Sequence, residues 1–203
     1  MPSTVYRMFA EGDSRREGTV IVYADEAAKV AKMVADGDLP QGSAFSVSSQ
    51  QENYEGLGHY KLHPRKESTS AVNPENNHFN SWRIYRYADV LLLAVELDAR
   101  INGAVSTEAQ GWFDKIRDRA FKDDKHRISL AGKSKQEILD ILFAERGYEF
   151  MDEMQRWFDI LRFDKGTEIL GNKGWTEQFR YFPIDQSEMD RAKGELTQNP
   201  GWL

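Results

Sequence analysis

The 203-residue sequence contains no cysteine, which excludes disulfide bonds, thiolate nucleophiles and cysteine-ligated metals. It has no excess of positive charge either, and a formal net charge of −6 argues against general nucleic-acid binding. The longest apolar run, residues 90–95, is far shorter than the ~20 residues that a membrane-spanning helix needs. Residues 1–11 contain no apolar segment of the secretory-signal type. We therefore expect either a cytoplasmic protein or a piece of a longer chain.

The hydrophobic content of 40% is enough for one sizeable core, so we expect residues 1–203 to form a single domain. Residues 1–80 are rich in loop-forming residues, with a short strand and one helix. Residues 81–165 have the periodicity of a helical body, and residues 166–203 form an irregular tail. The pattern predicts a mainly α fold with long ordered loops and little strand.

In the first part, the β-prone run at residues 19–23 predicts a strand. Asp25 is the expected N-cap of a helix over residues 26–35 that ends at Gly37. Residues 38–81 then form a long loop. We expect aromatic residues to fasten it to the body (Tyr54, Tyr60 and Phe79).

The helical part begins with residues 82–102, which are apolar nearly all round and predict a helix buried from several sides. Its charges pair at helical spacing, Asp89 with Arg86 and Glu96 with Arg100. Ser106 is the expected cap of a second helix, so the two form an antiparallel hairpin.

A capping box formed by Ser134 and Glu137 opens a third helix, which the pattern extends to about residue 163. In the tail, residues 179–184 predict a short strand.

The most informative stretch is residues 145–162. Glu145, Glu149, Glu153 and Arg156 follow one another at helical spacing, which predicts one charged side of the long helix. Paired carboxylates of this kind are used by glycoside hydrolases, with Glu149 and Glu153 as candidates and Trp157 as a platform for a sugar. The alternative is a fixed lattice of ion pairs, in which Arg146 and Arg156 neutralise the acids. The lattice is favoured because acids interleaved with arginines usually pair.

Other chemistry has little support. The four histidines (His59, His63, His78 and His126) lack metal-ligand spacing, and no nucleophile elbow or phosphate-binding glycine loop is present. The loop aromatics, together with Trp175 in the tail, either grip a carbohydrate or fasten loops to the helical body. The second reading is favoured.

Several motifs resemble the C-terminal portion of SusD/RagB-type proteins. RYADVLLLAVE at residues 86–96, FDKIRDRA at 113–120 and ERGYEFMDEMQRWFDILR at 145–162 are similar to three helical signatures of that family. YFPI at residues 181–184 and QNPGW at 198–202 are similar to its closing segments, and DSRR at 13–16 is similar to a stretch that precedes them. The order and spacing of these blocks are also those of the family. In this reading the signature residues are structural: Arg86, Asp89, Glu96, Arg117, Arg119, Glu145, Arg146, Glu149, Glu153, Arg156, Trp157, Asp159, Arg162, Asn199 and Pro200.

The resemblance implies a SusD-like, tetratricopeptide-related fold and a non-catalytic glycan-binding lipoprotein of the outer-membrane surface. It implies two partners, a SusC-like TonB-dependent transporter and an oligosaccharide or peptide ligand, with no nucleic acid and no cofactor. Membrane attachment would be only through an N-terminal lipid anchor absent from this chain. No catalytic, metal-binding or ligand-binding residue is carried over. The first alternative is a free-standing helical adaptor that binds a protein through the hairpin of residues 82–121, and the second is the hydrolase that uses Glu149 and Glu153.

Overall fold

A computed structural model describes residues 3–45, 55–61, 72 and 83–202. The chain divides into two compact units, residues 1–153 and residues 154–203. Tyr54 and Phe79, two of the three expected loop anchors, lie outside the described residues, as do His63, His78 and Trp82. The described parts are mainly helical, as predicted. That residues 1–203 make up a single SusD-like region stays a prediction.

The first unit begins with three helices and one two-stranded antiparallel sheet. The helices are α1 (Ser3–Tyr6), α2 (Ser14–Thr19) and α3 (Tyr23–Asp36), and the strands are β1 (Val20–Val22) and β2 (Leu57–His59). The predicted strand is confirmed, and Gly37 ends α3 in the left-handed conformation as expected. The predicted cap is wrong, because α3 starts at Tyr23, three residues before the predicted start, and Asp25 lies in its first turn. A carboxylate is stabilised there by the partial positive charge of the helix N-terminus.

The helical body consists of α4 (Tyr87–Asn102), α5 (Thr107–Ala120) and α6 (Lys135–Glu149), and α4 packs against both of the others. The hairpin of α4 and α5 is confirmed. So are the Ser106 cap on α5 and the capping box of Ser134 and Glu137 on α6. Each of these local signals satisfies backbone N–H groups that the first turn of a helix leaves unpaired. That explains why they predict the helix starts well.

Two expectations about α4 are wrong. Within the described residues it begins at Tyr87, because Arg86 is extended and sends its side chain to the end of α6. The helix is also buried from one side only. Leu91, Leu92 and Val95 are buried, whereas several apolar residues predicted to face inward are exposed (Tyr87, Val90, Leu97 and Ile101).

The prediction that the third helix extends to about residue 163 is wrong as well. Instead, α6 ends at Glu149, and α7 (Arg156–Arg162) starts only after an interruption. Asp152 and Met154 have φ values of 65° and 61°, which a helix does not tolerate. The carbonyl of Glu149 accepts hydrogen bonds from Arg86 Nη2 and Lys61 Nζ, at 2.6 and 2.7 Å. These cations bind an unpaired carbonyl at the negative end of the helix dipole, which stabilises the interruption.

The second unit contains α7, α8 (Gly166–Leu170), two short 3-10 segments (Gly171–Lys173 and Glu177–Arg180) and α9 (Gln186–Arg191). The strand predicted at residues 179–184 is wrong. In its place, the side chain of Gln198 bonds both main-chain groups of Ile184, at 2.8 and 2.9 Å. Asn199 donates to the carbonyl of Phe182 at 2.6 Å. Side-chain amides therefore take the place that a neighbouring strand would occupy.

Candidate functional site

The candidate site lies in the first unit, where charged side chains from four separate parts of the chain meet around the end of α6. Glu145 and Glu149 lie one turn apart on α6, and Glu153 follows in the interruption. The cations come from α2, the segment after β2, the residue before α4, and α5. All three glutamates are engaged by cations, as the lattice interpretation requires.

Glu145 is buried between two arginines. Arg15 Nη1 lies 2.6 Å from one carboxylate oxygen, and Arg117 Nη1 lies 2.8 Å from the other. Each arginine also has a second acceptor: Asp13 for Arg15, at 2.7 and 2.9 Å, and the carbonyl of His126 for Arg117, at 2.5 and 3.2 Å. Burial opposes charge on Arg15, but the bonds and charges of Asp13 and Glu145 raise its pKa, so the guanidinium stays charged.

Glu149 has three guanidinium partners. Arg86 Nη1 and Arg119 Nη2 both donate to Oε1, the former at 2.5 Å, and Arg15 Nη1 lies 3.3 Å from Oε2. Burial disfavours the charged form, but the hydrogen bond from Arg119 and the charges of Arg86 and Arg119 outweigh it. The pKa of Glu149 therefore lies below its usual value.

Glu153 completes the cluster after α6 has ended. Arg86 binds it at two points, with Nε and Nη2 at 2.8 and 2.9 Å from the carboxylate oxygens, and Lys61 pairs with it. Burial opposes its charge, yet the hydrogen bonds from Arg86 and Lys61 lower the pKa of Glu153. Burial also lowers the pKa of Lys61 despite the pair with Glu153, so the partly buried ammonium carries a desolvation cost.

A neighbouring pair is buried beside the cluster. Arg146 Nη1 lies 2.6 Å from Asp89 Oδ1, and both side chains are shielded from solvent. Two predicted pairings are therefore wrong: Arg146 points to α4 and not to the glutamates, and Asp89 binds Arg146 and not Arg86. The guanidinium groups of Arg86 and Arg146 both lie over the ring of Phe150, 4.6 and 4.8 Å from its centroid. The expected pair of Glu96 and its i+4 arginine is confirmed, at 2.7 Å.

Arg156 was expected on the same helical face as the three glutamates. It is instead the first residue of α7 in the second unit, beyond the interruption, so that shared face does not exist. The other signature residues of this unit have structural contacts. Asp159 pairs with Arg162 at 2.9 Å, and Trp157 meets Trp175 edge to face at 5.8 Å. At the end of the chain, Asn199 bonds the carbonyl of Phe182 as described above, and Pro200 lies in the turn that follows.

Sequence reasoning missed three members of the cluster: Asp13, Arg15 and Lys61. The first two had a usable signal, because an acid two residues before an arginine lets the guanidinium fold back onto the carboxylate, as it does here. Lys61 had none, because it lies in a stretch with no periodicity. Its contact with the end of α6 depends on the pairing of β1 with β2.

The arrangement of the cluster is suited to stabilising the fold and not to transferring protons. A general acid must hold a proton near neutral pH, and the environment of such a group raises its pKa. Glu149 and Glu153 share the guanidinium of Arg86 and both have lowered pKa values. Among the described residues, no group of three or more His, Asp or Glu is placed to hold a metal ion.

Comparison with known proteins shows which family has this architecture. The profile of the SusD family matches residues 1–177. SusD-like protein P2 of Formosa agariphila is 29% identical over 211 residues, an alignment that covers 96% of this chain and 41% of that protein. SusD-like protein P25 of the same organism is 31% identical over 130 residues, covering 63% of this chain and 24% of that protein.

Solved structures agree. Surface glycan-binding protein A of Bacteroides fluxus has a TM-score of 0.68 and 26% identity, over 98% of this chain and 40% of that one. Surface glycan-binding protein A of Bacteroides thetaiotaomicron, in complex with laminarihexaose, has a TM-score of 0.66 and 26% identity, over 96% of this chain and 39% of that one. The chain thus spans less than half the length of these relatives. Because the family profile covers most of its residues, the chain belongs to the SusD family.

Proposed function

We propose that the chain is, or forms part of, a non-catalytic glycan-binding subunit of a SusCD-type uptake system. In this role it captures an oligosaccharide at the cell surface and passes it to a TonB-dependent transporter. Support comes from the similarity to surface glycan-binding proteins, one of them solved with laminarihexaose. The outer-membrane location, the lipid anchor and the transporter partner belong to the same proposal. No helix within the described ranges is long and apolar enough to cross a bilayer.

One observation carries the non-catalytic part of the proposal. The two candidate hydrolase residues, Glu149 and Glu153, are both bound by Arg86 and further paired with Arg119 and Lys61 respectively. A retaining or inverting glycosidase needs one carboxyl that holds a proton and another that faces the sugar. Two carboxylates that share one guanidinium and have lowered pKa values meet neither need.

The test is affinity electrophoresis of the chain through gels that contain laminarin, starch or xylan, with bovine serum albumin as the reference. We expect at least one glycan to retard the chain while incubation with the same glycans releases no new reducing ends. Migration unchanged by every glycan would contradict glycan capture. Release of reducing ends that the Glu149→Gln variant no longer shows, while remaining folded, would establish the hydrolase in its place.

A further inference from the structure

The turn between α4 and α5 contains the one Asn-Gly pair of the sequence, Asn102 and Gly103. Asn102 is the last residue of α4 and is exposed, and Gly103 follows it in the left-handed conformation, with φ 72°. Among the described residues, none has an atom in the space where a Cβ of Gly103 would stand. The pair is therefore open to solvent.

An asparagine that precedes glycine can lose its side-chain amide in water without an enzyme. Hydroxide removes the proton from the main-chain nitrogen of Gly103, and this nitrogen attacks Cγ of Asn102. The new nitrogen–carbon bond closes a succinimide ring, the bond between Cγ and Nδ2 breaks, and Nδ2 leaves as ammonia with a proton from water. A water molecule then opens the ring at either carbonyl, which gives aspartate or isoaspartate. Glycine favours the attack because it has no side chain to hinder it.

Hydrogen bonds hold both reacting groups in the folded chain. The N–H of Gly103 donates to the carbonyl of Ala99 at 3.0 Å. Asn102 Nδ2 donates to Asp98 Oδ1 at 2.7 Å, and the other oxygen of Asp98 accepts from the main-chain N–H of Ser106 at 2.6 Å. The bonds from Ser106, with a smaller contribution from Asn102, lower the pKa of Asp98, so its carboxylate is charged where the reaction runs. Asp98 therefore holds the Asn102 amide and the far side of the turn together.

These bonds lie in and just after the last turn of α4, and helix ends are among the parts of a fold that open most readily. Opening frees the nitrogen of Gly103 and the amide of Asn102 at the same time. We propose that Asn102 is a site of spontaneous deamidation in the folded protein, and that Asp98 sets its rate by holding the Asn102 amide. This modification is independent of the proposed glycan binding.

The product weakens the turn in which it forms. A carboxylate at position 102 cannot donate to Asp98 and repels it at four-residue spacing. The new charge also lies at the negative end of the α4 dipole. The bond between Asp98 and Ser106, which joins α4 to the start of α5, is then less well supported.

Peptide mapping by mass spectrometry measures the reaction in the 203-residue chain at alkaline pH, because conversion replaces the amide nitrogen by oxygen. Two other asparagines are internal controls: Asn172 is followed by Lys173, and Asn199 by Pro200, which has no N–H to attack. We expect conversion at Asn102 to be about ten-fold or more faster than at Asn172 and undetectable at Asn199. Equal or faster conversion at Asn172 would overturn the proposal. So would a folded chain that keeps Asn102 intact while the urea-unfolded chain converts it.

Asp98→Ala tests the part played by the carboxylate. Asp190→Ala is the matched control, since the exposed Asp190 accepts from Gln186 at the same four-residue spacing, at 2.8 Å. We expect Asp98→Ala to speed conversion at Asn102 by about three-fold or more in the folded chain and to leave the rate in urea unchanged, whereas Asp190→Ala changes neither. An equal or lower folded-state rate in Asp98→Ala would overturn the role of Asp98. If circular dichroism shows that this variant does not fold, Asp98→Asn replaces it, because its amide has one acceptor oxygen for the two bonds.

Asn102→Asp reproduces the product. It should speed hydrogen exchange of the Ser106 amide by about three-fold or more, because the bond from that amide to Asp98 opens more often. Exchange as slow as in the parent chain would contradict the weakening of the turn.

Discussion

Arg86 and Glu153 form a two-point ion pair across the position where α6 has already ended, with nitrogen–oxygen distances of 2.8 and 2.9 Å. The same guanidinium binds both the carboxylate and the main-chain carbonyl of Glu149. The side chain of Arg86 therefore links the start of α4 to the last residue of α6 and to the interruption that follows. The following predictions test what these ion pairs and the neighbouring contacts contribute to stability.

Arg86→Met should destabilise the first unit by about 3–5 kcal/mol, because it leaves two largely buried carboxylates short of a cation. Urea unfolding followed by circular dichroism measures the loss. Lys29→Ala is the control, since its pair with Glu26 is solvent-exposed, and it should leave the unfolding midpoint unchanged. An Arg86→Met variant as stable as the parent would show that the cluster contributes little to folding.

The buried pair of Asp89 and Arg146 should behave as a unit. Asp89→Leu removes the carboxylate 2.6 Å from a buried guanidinium and should cost about 3–5 kcal/mol. Adding Arg146→Met removes the buried charge as well, so the double variant should lose clearly less than the sum of the single losses. A double-mutant cycle on the free energies of unfolding measures this coupling, and strictly additive losses would contradict it.

Acidification should weaken the first unit through Glu149 and Glu153. Their pKa values in the folded state lie below the usual value of 4.5, so the unfolded state binds protons first as the pH falls. The stabilisation is complete above about pH 5.5 and is lost as the pH drops through 4.5 and below. Urea unfolding between pH 7 and pH 3 measures the slope. Glu149→Gln should flatten it, and a parent profile that rises toward low pH would contradict the assignment.

Gly166→Ala should destabilise the second unit by about 1–3 kcal/mol, because a Cβ at this position would collide with the indole ring of Trp175. The change should also shift tryptophan fluorescence. Gly171→Ala provides the control, since Gly171 is helical with φ −54° and has open space where a Cβ would stand. It should be neutral or slightly stabilising. Equal effects of the two substitutions would contradict the packing of Trp175 on Gly166.

Local signals in the sequence predicted the starts of α5 and α6, but not those of α3 and α4. Ser106 and Ser134 cap α5 and α6 through bonds within four residues, so their information is contained in short stretches of sequence. The end of α6 was not predictable in this way. It depends on Arg86 and Lys61, which lie 63 and 88 residues from Glu149. Helical periodicity continues smoothly through residue 153 and carries no information about donors so far away.

In the candidate site, too, local features were predictable and contacts between distant residues were not. Its acids were recognisable, and so was their neutralisation by arginine, but the arginines chosen from sequence were the nearby ones. The structure uses Arg117 for Glu145 and Arg119 for Glu149, so two arginines of one short motif serve acids one turn apart on another helix. The fold brings residues of α5 and α2 within ion-pair distance of α6, and no spacing within residues 145–162 encodes this choice.

The carboxylate of Glu149 joins positions that lie 30, 63 and 134 residues away along the chain, at Arg119, Arg86 and Arg15. Closing loops of such different lengths costs entropy before any contact forms, so the hairpin of α4 and α5 can assemble while the charged centre is still open. We therefore expect the charged centre to be completed late in folding. Until Lys61 and Arg86 bind the carbonyl of Glu149, the charges of the cluster stay separate and hydrated. The contacts that stabilise the end of α6 are then not yet formed.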